Sequence, residues 1–167
     1  MAADAEHEFF PVSVTKFLML SICTLDIYVL YWCYKNWQRI QRRTSTPLSP
    51  FWRAFFSIFW CFNLFRIVRD DATKAGEQVT WNPTVLGGLY LVLSLTWRLP
   101  GGVGLISLLG CLAFVPVVQT IGAVNGRRIA EEGLNEGLTF ANVVTIVVGG
   151  ILLLLALVGA VMPAGVE

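Results

Sequence analysis

The chain has 167 residues, 56% of them hydrophobic and only 14% charged, with a formal net charge of +1. Soluble domains carry roughly a quarter charged residues, so this composition excludes a surface that water could cover. What remains is an all-α protein of the membrane: a polytopic transmembrane helical bundle of about four spans plus one aromatic re-entrant or interfacial helix. It forms a single integral membrane domain over residues 13–167, behind an exposed acidic N-terminal tail at residues 1–12.

The tail holds the single histidine, His7, which is expected to be solvated and so a poor basis for metal or acid–base chemistry. The acidic start and the absence of a small-residue cleavage site argue that the first apolar run stays as a signal anchor. That run, residues 17–34, is expected to span the bilayer, interrupted by Asp26. Basic residues cluster from Lys35 to Arg53 with no acid among them. Apolar segments flank the cluster, which suits a cytoplasmic loop near anionic headgroups better than a nucleic-acid surface. Residues 51–65 are aromatic-rich but too short between Arg53 and Arg66 to cross. Arg53, Ser57 and Cys61 recur every four positions there, a polar stripe on a helix that lies in the interface or dips in and returns. Residues 85–97 form the next span, with Trp81 and Trp97 about 24 Å apart at ~1.5 Å per residue, one for each headgroup level. Residues 102–124 and 143–161, both uncharged, complete the set.

The positive-inside rule counts Lys and Arg flanking the spans. If residues 51–65 do not cross, Lys16 and Arg98 stand outside and all other basic residues inside. The expectation is therefore four spans with both termini outside. A weak repeat, Asn36-x-x-Arg39-Ile40 then Phe51 against Asn125-x-x-Arg128-Ile129 then Phe140, fits two helix–basic-turn–helix units.

Asp26 is the candidate intramembrane polar site. A carboxylate near mid-span costs roughly 2.5–3.5 kcal/mol, so it normally faces a bundle interior or cavity and has a partner. Two readings stay open: a protonatable site on an ion or proton path, or a helix cap in which Thr-Leu-Asp satisfies freed N–H groups of a piece starting at Ile27. Gln119, one turn from Pro116, is its candidate hydrogen-bonding partner. Lys35, Arg39, Arg42, Arg43 and Arg53 are the candidate anionic-lipid-binding residues, at ~1 kcal/mol each near such a surface. Gly87-Gly88, Gly149-Gly150 and Gly122-x-x-x-Gly126 offer small faces for helix contact. Asp70 and Asp71 are expected to pair locally with Arg66 and Arg69, and the four scattered cysteines to be buried and inert. No catalytic, cofactor or metal constellation appears.

Residues 27–37, Ile-Tyr-Val-Leu-Tyr-Trp-Cys-Tyr-Lys-Asn-Trp, followed by Pro50-Phe51-Trp52-Arg53-Ala54-Phe55-Phe56, resemble small bacterial inner-membrane proteins with a Tyr-Trp-x-Tyr-Lys-Asn-Trp signature. The resemblance covers roughly residues 9–67 and implies a multi-pass protein of the bacterial inner membrane, in a family of unknown function. Such sequences commonly have glycine where this one has Asp26, which implies a helix break there. The leading expectation is a non-enzymatic scaffold or accessory subunit, with membrane lipids and other membrane subunits or further copies of itself as partners. The alternative is a small oligomeric transporter or channel built around Asp26, with Asn36, Gln119 and Asn125 along a polar route.

Overall fold

The computed structural model describes residues 9–45, 47, 49–99, 101–128 and 140–161. The acidic segment with His7, the loop acids Glu131, Glu132 and Glu136, and Ile129 of the repeat lie outside the described residues. Every described element is helical: α1 (Val14–Cys23), α2 (Ile27–Thr44), α3 (Pro50–Phe55), α4 (Ser57–Lys74), α5 (Pro83–Leu95), α6 (Val115–Arg128) and α7 (Phe140–Val161). A short 3₁₀ turn, Thr96–Arg98, closes α5, and a long 3₁₀ segment, Gly101–Phe114, runs into α6. Val103–Gly126 is the one helix among the described residues long and apolar enough to cross a membrane. The apolar stretches Val14–Cys23 and Ile146–Gly159 are shorter.

The expected span at residues 17–34 is instead a hairpin. In one continuous helix Phe17 and Trp32 would stand about 22 Å apart, yet their rings lie 5.5 Å apart. Further out, the Phe10 amide donates to Asn36 Oδ1 at 3.0 Å and Arg39 donates to the Phe9 carbonyl at 2.8 Å. The chain turns over at Thr24–Asp26, where Leu25 and Asp26 are both left-handed (φ 51° and 65°). The same contacts pull the supposed tail inward from Phe9 onward: Phe9 and Val12 are buried core residues.

Residues 51–65 also fold back. Phe51, Ala54 and Phe55 lie against Leu30, Tyr31 and Tyr34, whereas Trp60 meets Trp37 and Asp71 pairs with Arg43 near the end of α2. So α3 runs against α2, the chain breaks at Phe56, and α4 returns alongside α2. The Arg53, Ser57, Cys61 stripe faces inward rather than toward water: Ser57 and Cys61 are buried. Asp71 pairs locally with Lys74 rather than with Arg66 or Arg69, and also with Arg43, which the reversal brings alongside from the end of α2.

Helix α5 packs antiparallel on α4, close enough at Gly87 that an added Cβ would stand 2.5 Å from the Phe62 ring. The 3₁₀ segment then packs back along α5. Runs of 3₁₀ beyond a few residues are uncommon, and here the sequence carries the reason. Gly104, Ser107, Gly110 and Ala113 recur every third residue, as do Val103, Ile106, Leu109 and Leu112. At three residues per turn each set stacks on one face. The large set is exposed, at 42–49%; along the small set, a Cβ on Gly110 would stand 3.3 Å from the Tyr90 ring. An α-helical winding would smear the small face around the cylinder and lose that approach. Helix α7 closes the bundle at Gly149, which meets the Cys23 carbonyl at the hairpin tip. Gly88 and Gly150 face open space, so only one member of each adjacent glycine pair is a contact site, and Gly122 and Gly126 both face open space.

Candidate functional site

The turn at residues 24–26 separates the two roles that the sequence left open for Asp26. The cap is made by Thr24: its hydroxyl donates to the Leu20 carbonyl at 2.7 Å and accepts the Tyr28 amide at 2.9 Å, joining the end of α1 to the start of α2. Asp26 occupies the N-cap position of α2 but makes no side-chain cap bond. Its left-handed backbone is one that glycine adopts freely and that Asp and Asn tolerate better than other residues. The carboxylate is therefore spared from helix capping, and its Oδ1 is buried without a hydrogen-bond partner among the described residues.

That carboxylate lines a cavity of about 940 Å³ at the tips of both hairpins. Ser57 at the α3–α4 reversal, Tyr90 and Ser94 on α5, and Ser107 on the 3₁₀ segment supply its other polar side chains. The Tyr90 and Ser57 hydroxyls lie 3.2 Å apart in a hydrogen bond. Phe55, Trp97 and Leu99 are exposed at the rim. Among the described residues no Lys, Arg or His lines it. Among the described residues no group of three or more His, Cys, Asp or Glu side chains converges as metal ligands would.

Gln119, the expected partner, is on the exposed side of α6 and is not part of this wall. Asp26 shares its cavity with Leu105 and Leu108 of the 3₁₀ segment instead. Asn36 and Asn125 do not line a route either. Both are buried and converge on one piece of backbone: Asn36 accepts the Phe10 amide and donates to the Trp32 carbonyl, while Asn125 donates to the Phe9 carbonyl at 3.2 Å. The two halves of the weak repeat thus clamp residues 9 and 10 jointly. No protein-family model, curated protein or solved structure gives a significant match to the chain. What the cavity admits follows from its walls.

Of the five basic residues proposed for lipid contact, four also pack on aromatic rings, and all five stay partly or fully exposed. Arg53 lies over both the Trp37 and Trp60 rings, at 4.6 and 4.1 Å from their centroids. Arg39 lies over Phe10 and Arg43 over Phe9, each with its polar bond already described. Lys35 sits over the Tyr31 ring at 5.7 Å, and Arg42 is exposed. Guanidinium groups stack on aromatic faces and still donate in plane, so this cluster pins the first hairpin to the second. Sequence reasoning missed Ser57, Tyr90, Ser94 and Ser107 as companions of Asp26. Serines at 94 and 107, flanking the charged turn at Arg98, were the available signal.

Proposed function

We propose that the chain is a multi-pass membrane protein whose two hairpins, α1–α2 and α3–α4, are re-entrant from one side of the bilayer, while α5, residues 101–128 and α7 cross it. Ten residues of α1 reach about 15 Å, half of a hydrocarbon core of about 30 Å, whereas the 22 residues of α7 reach about 33 Å. The distribution of positive charge supports this arrangement. With both hairpins entering from the Arg43 side, every Lys and Arg except Arg98 falls on that side, and Lys16 no longer counts against the positive-inside rule. The Arg43 side is then the cytoplasmic face of a bacterial inner membrane, in keeping with the resemblance of residues 9–67. Residue 9 lies inside and residue 161 outside.

In that orientation the protein is a non-enzymatic binding or transport component. It admits a positively charged solute from the outer, Trp97 side to Asp26 at mid-membrane depth. The observation that carries this reading is the uncapped, unpartnered Asp26 carboxylate in an open cavity with no basic side chain. An intramembrane acid normally has a partner or a function. A scaffold role draws on the open face of Gly150 on α7.

The test uses an Asp26→Cys variant in oriented vesicles, treated with a membrane-impermeant cationic thiol reagent; the parent chain gives the background of its native cysteines. Modification from the Trp97 side and none from the Arg43 side is expected. Lack of modification from either side removes the solute-binding role and leaves the scaffold.

A further inference from the structure

Granting that positively charged solutes reach Asp26, the walls of the cavity specify which kind. We infer that the site takes an organic ammonium group, a primary to quaternary amine carrying an apolar substituent, rather than an inorganic ion. Three observations converge.

The first is the donor set. Hard metal cations need several oxygen ligands held together, six to eight for Ca²⁺ and near-octahedral geometry for Mg²⁺. One carboxylate and scattered hydroxyls do not meet that need, and the Tyr90 and Ser57 hydroxyls are already bonded to one another. The second is size and character. At about 940 Å³ the space is far larger than a bare ion needs and is in the range of small-molecule sites, which pair apolar walls with a few placed polar groups. Leu25, Ile27, Leu30, Ile58, Leu105 and Leu108 make those walls. The third is the aromatic component. Phe55, Tyr90 and Trp97 share the lining with Asp26. A single carboxylate in a cavity that aromatic rings also line matches an alkylammonium, whose spread charge is attracted by ring faces and whose desolvation costs less than that of a small ion. The missing basic side chain disfavours carboxylates and phosphates in the cavity itself.

Such a group arrives either on a soluble amine or as the choline or ethanolamine headgroup of a lipid. The experiment measures binding of benzyltrimethylammonium to the purified full chain in nanodiscs of phosphatidylglycerol, beside its uncharged carbon isostere. The account expects saturable binding of the cation only, weakened about tenfold or more by Asp26→Asn, a loss worth ~1.4 kcal/mol or more. Asparagine tolerates the left-handed backbone at this position, so that variant keeps the turn. Trp97→Leu, at the exposed rim, is expected to weaken binding several-fold. Competition when phosphatidylcholine replaces phosphatidylglycerol supports the site and assigns it to lipid headgroups; unchanged binding supports it and assigns it to soluble amines. Equal binding of the isostere, indifference to Asp26→Asn, or displacement by equimolar Na⁺ or K⁺ overturns the ammonium assignment. If Asp26→Cys is nevertheless reached from the Trp97 side, the solute-binding reading survives that loss.

Discussion

Phe114→Ala is expected to be the most damaging single truncation in the chain, costing about 3–5 kcal/mol. Phe114 is fully buried at the junction where the 3₁₀ segment becomes α6. Its ring meets Tyr90 at 4.8 Å, Phe65 at 5.0 Å, Trp32 at 5.7 Å and Phe17 at 6.0 Å. Those partners come from α5, α4, α2 and α1, so one side chain joins both hairpins to two of the proposed crossings. Three of the pairs are edge-to-face, worth about 0.5–1.5 kcal/mol each beyond area burial. Within a bilayer, helix association rests on packing rather than on release of water, so a cavity here has little to offset it. Thermal unfolding in mild detergent, followed by near-ultraviolet circular dichroism, reads the loss directly. Phe114→Leu keeps much of the volume and is expected to fall well short of the alanine effect. Equal midpoints for the two variants contradict the ring cluster as the centre of the fold.

Gly149→Val is the second. A Cβ at Gly149 would collide with the Cys23 carbonyl, a backbone atom that cannot rotate away. Helix α7 then has to withdraw from the hairpin tip, at the ~1–3 kcal/mol or more of an overpacked site. Its neighbour supplies the control, because a Cβ on Gly150 meets nothing within 4 Å, and Gly150→Val is expected to stay within about 0.5 kcal/mol of the parent. Withdrawal also uncovers Cys23, now partly buried at the end of α1, so its modification rate by an apolar maleimide is expected to rise in Gly149→Val alone. Similar behaviour of the two variants rules out the close approach of α7 to the tip.

These two sites show what the sequence reveals and what it hides. The uncharged runs at 102–124 and 143–161 are legible because insertion into an apolar medium depends on composition, and Val103–Gly126 and α7 stand where those runs predict helices. Residues 85–97 likewise read correctly as a helix, since α5 and its 3₁₀ turn cover them. The hairpin at 24–26 is hidden because residues 17–34 have the length and apolarity of a span, and composition cannot tell one continuous helix from two that meet at a turn. Asp26 was the trace of it, read as a charge within a helix when it marks a left-handed turn. The three-residue spacing of small side chains from Gly104 to Ala113 was equally visible, but passed as ordinary apolar sequence because an α-helical period was assumed. Long-range partners are legible least of all. Gln119 looked like a companion of Asp26 only while residues 17–34 were taken to cross the bundle, and the hydroxyls of Ser57 and Ser107 reach the cavity through reversals that no local pattern announces.

The central claim is that the first apolar segment turns back inside the membrane, and sidedness tests it most directly. Single cysteines introduced as Ala5→Cys, Ser49→Cys and Leu99→Cys, in a background with Cys23 replaced by alanine, can be labelled with an impermeant maleimide from each face of oriented vesicles; Ser49 is exposed between α2 and α3, and Cys33, Cys61 and Cys111 are buried. A re-entrant hairpin predicts that positions 5 and 49 react from the same face and position 99 from the opposite one. Labelling of positions 5 and 49 from opposite faces means that residues 17–34 cross the bilayer, and contradicts the account.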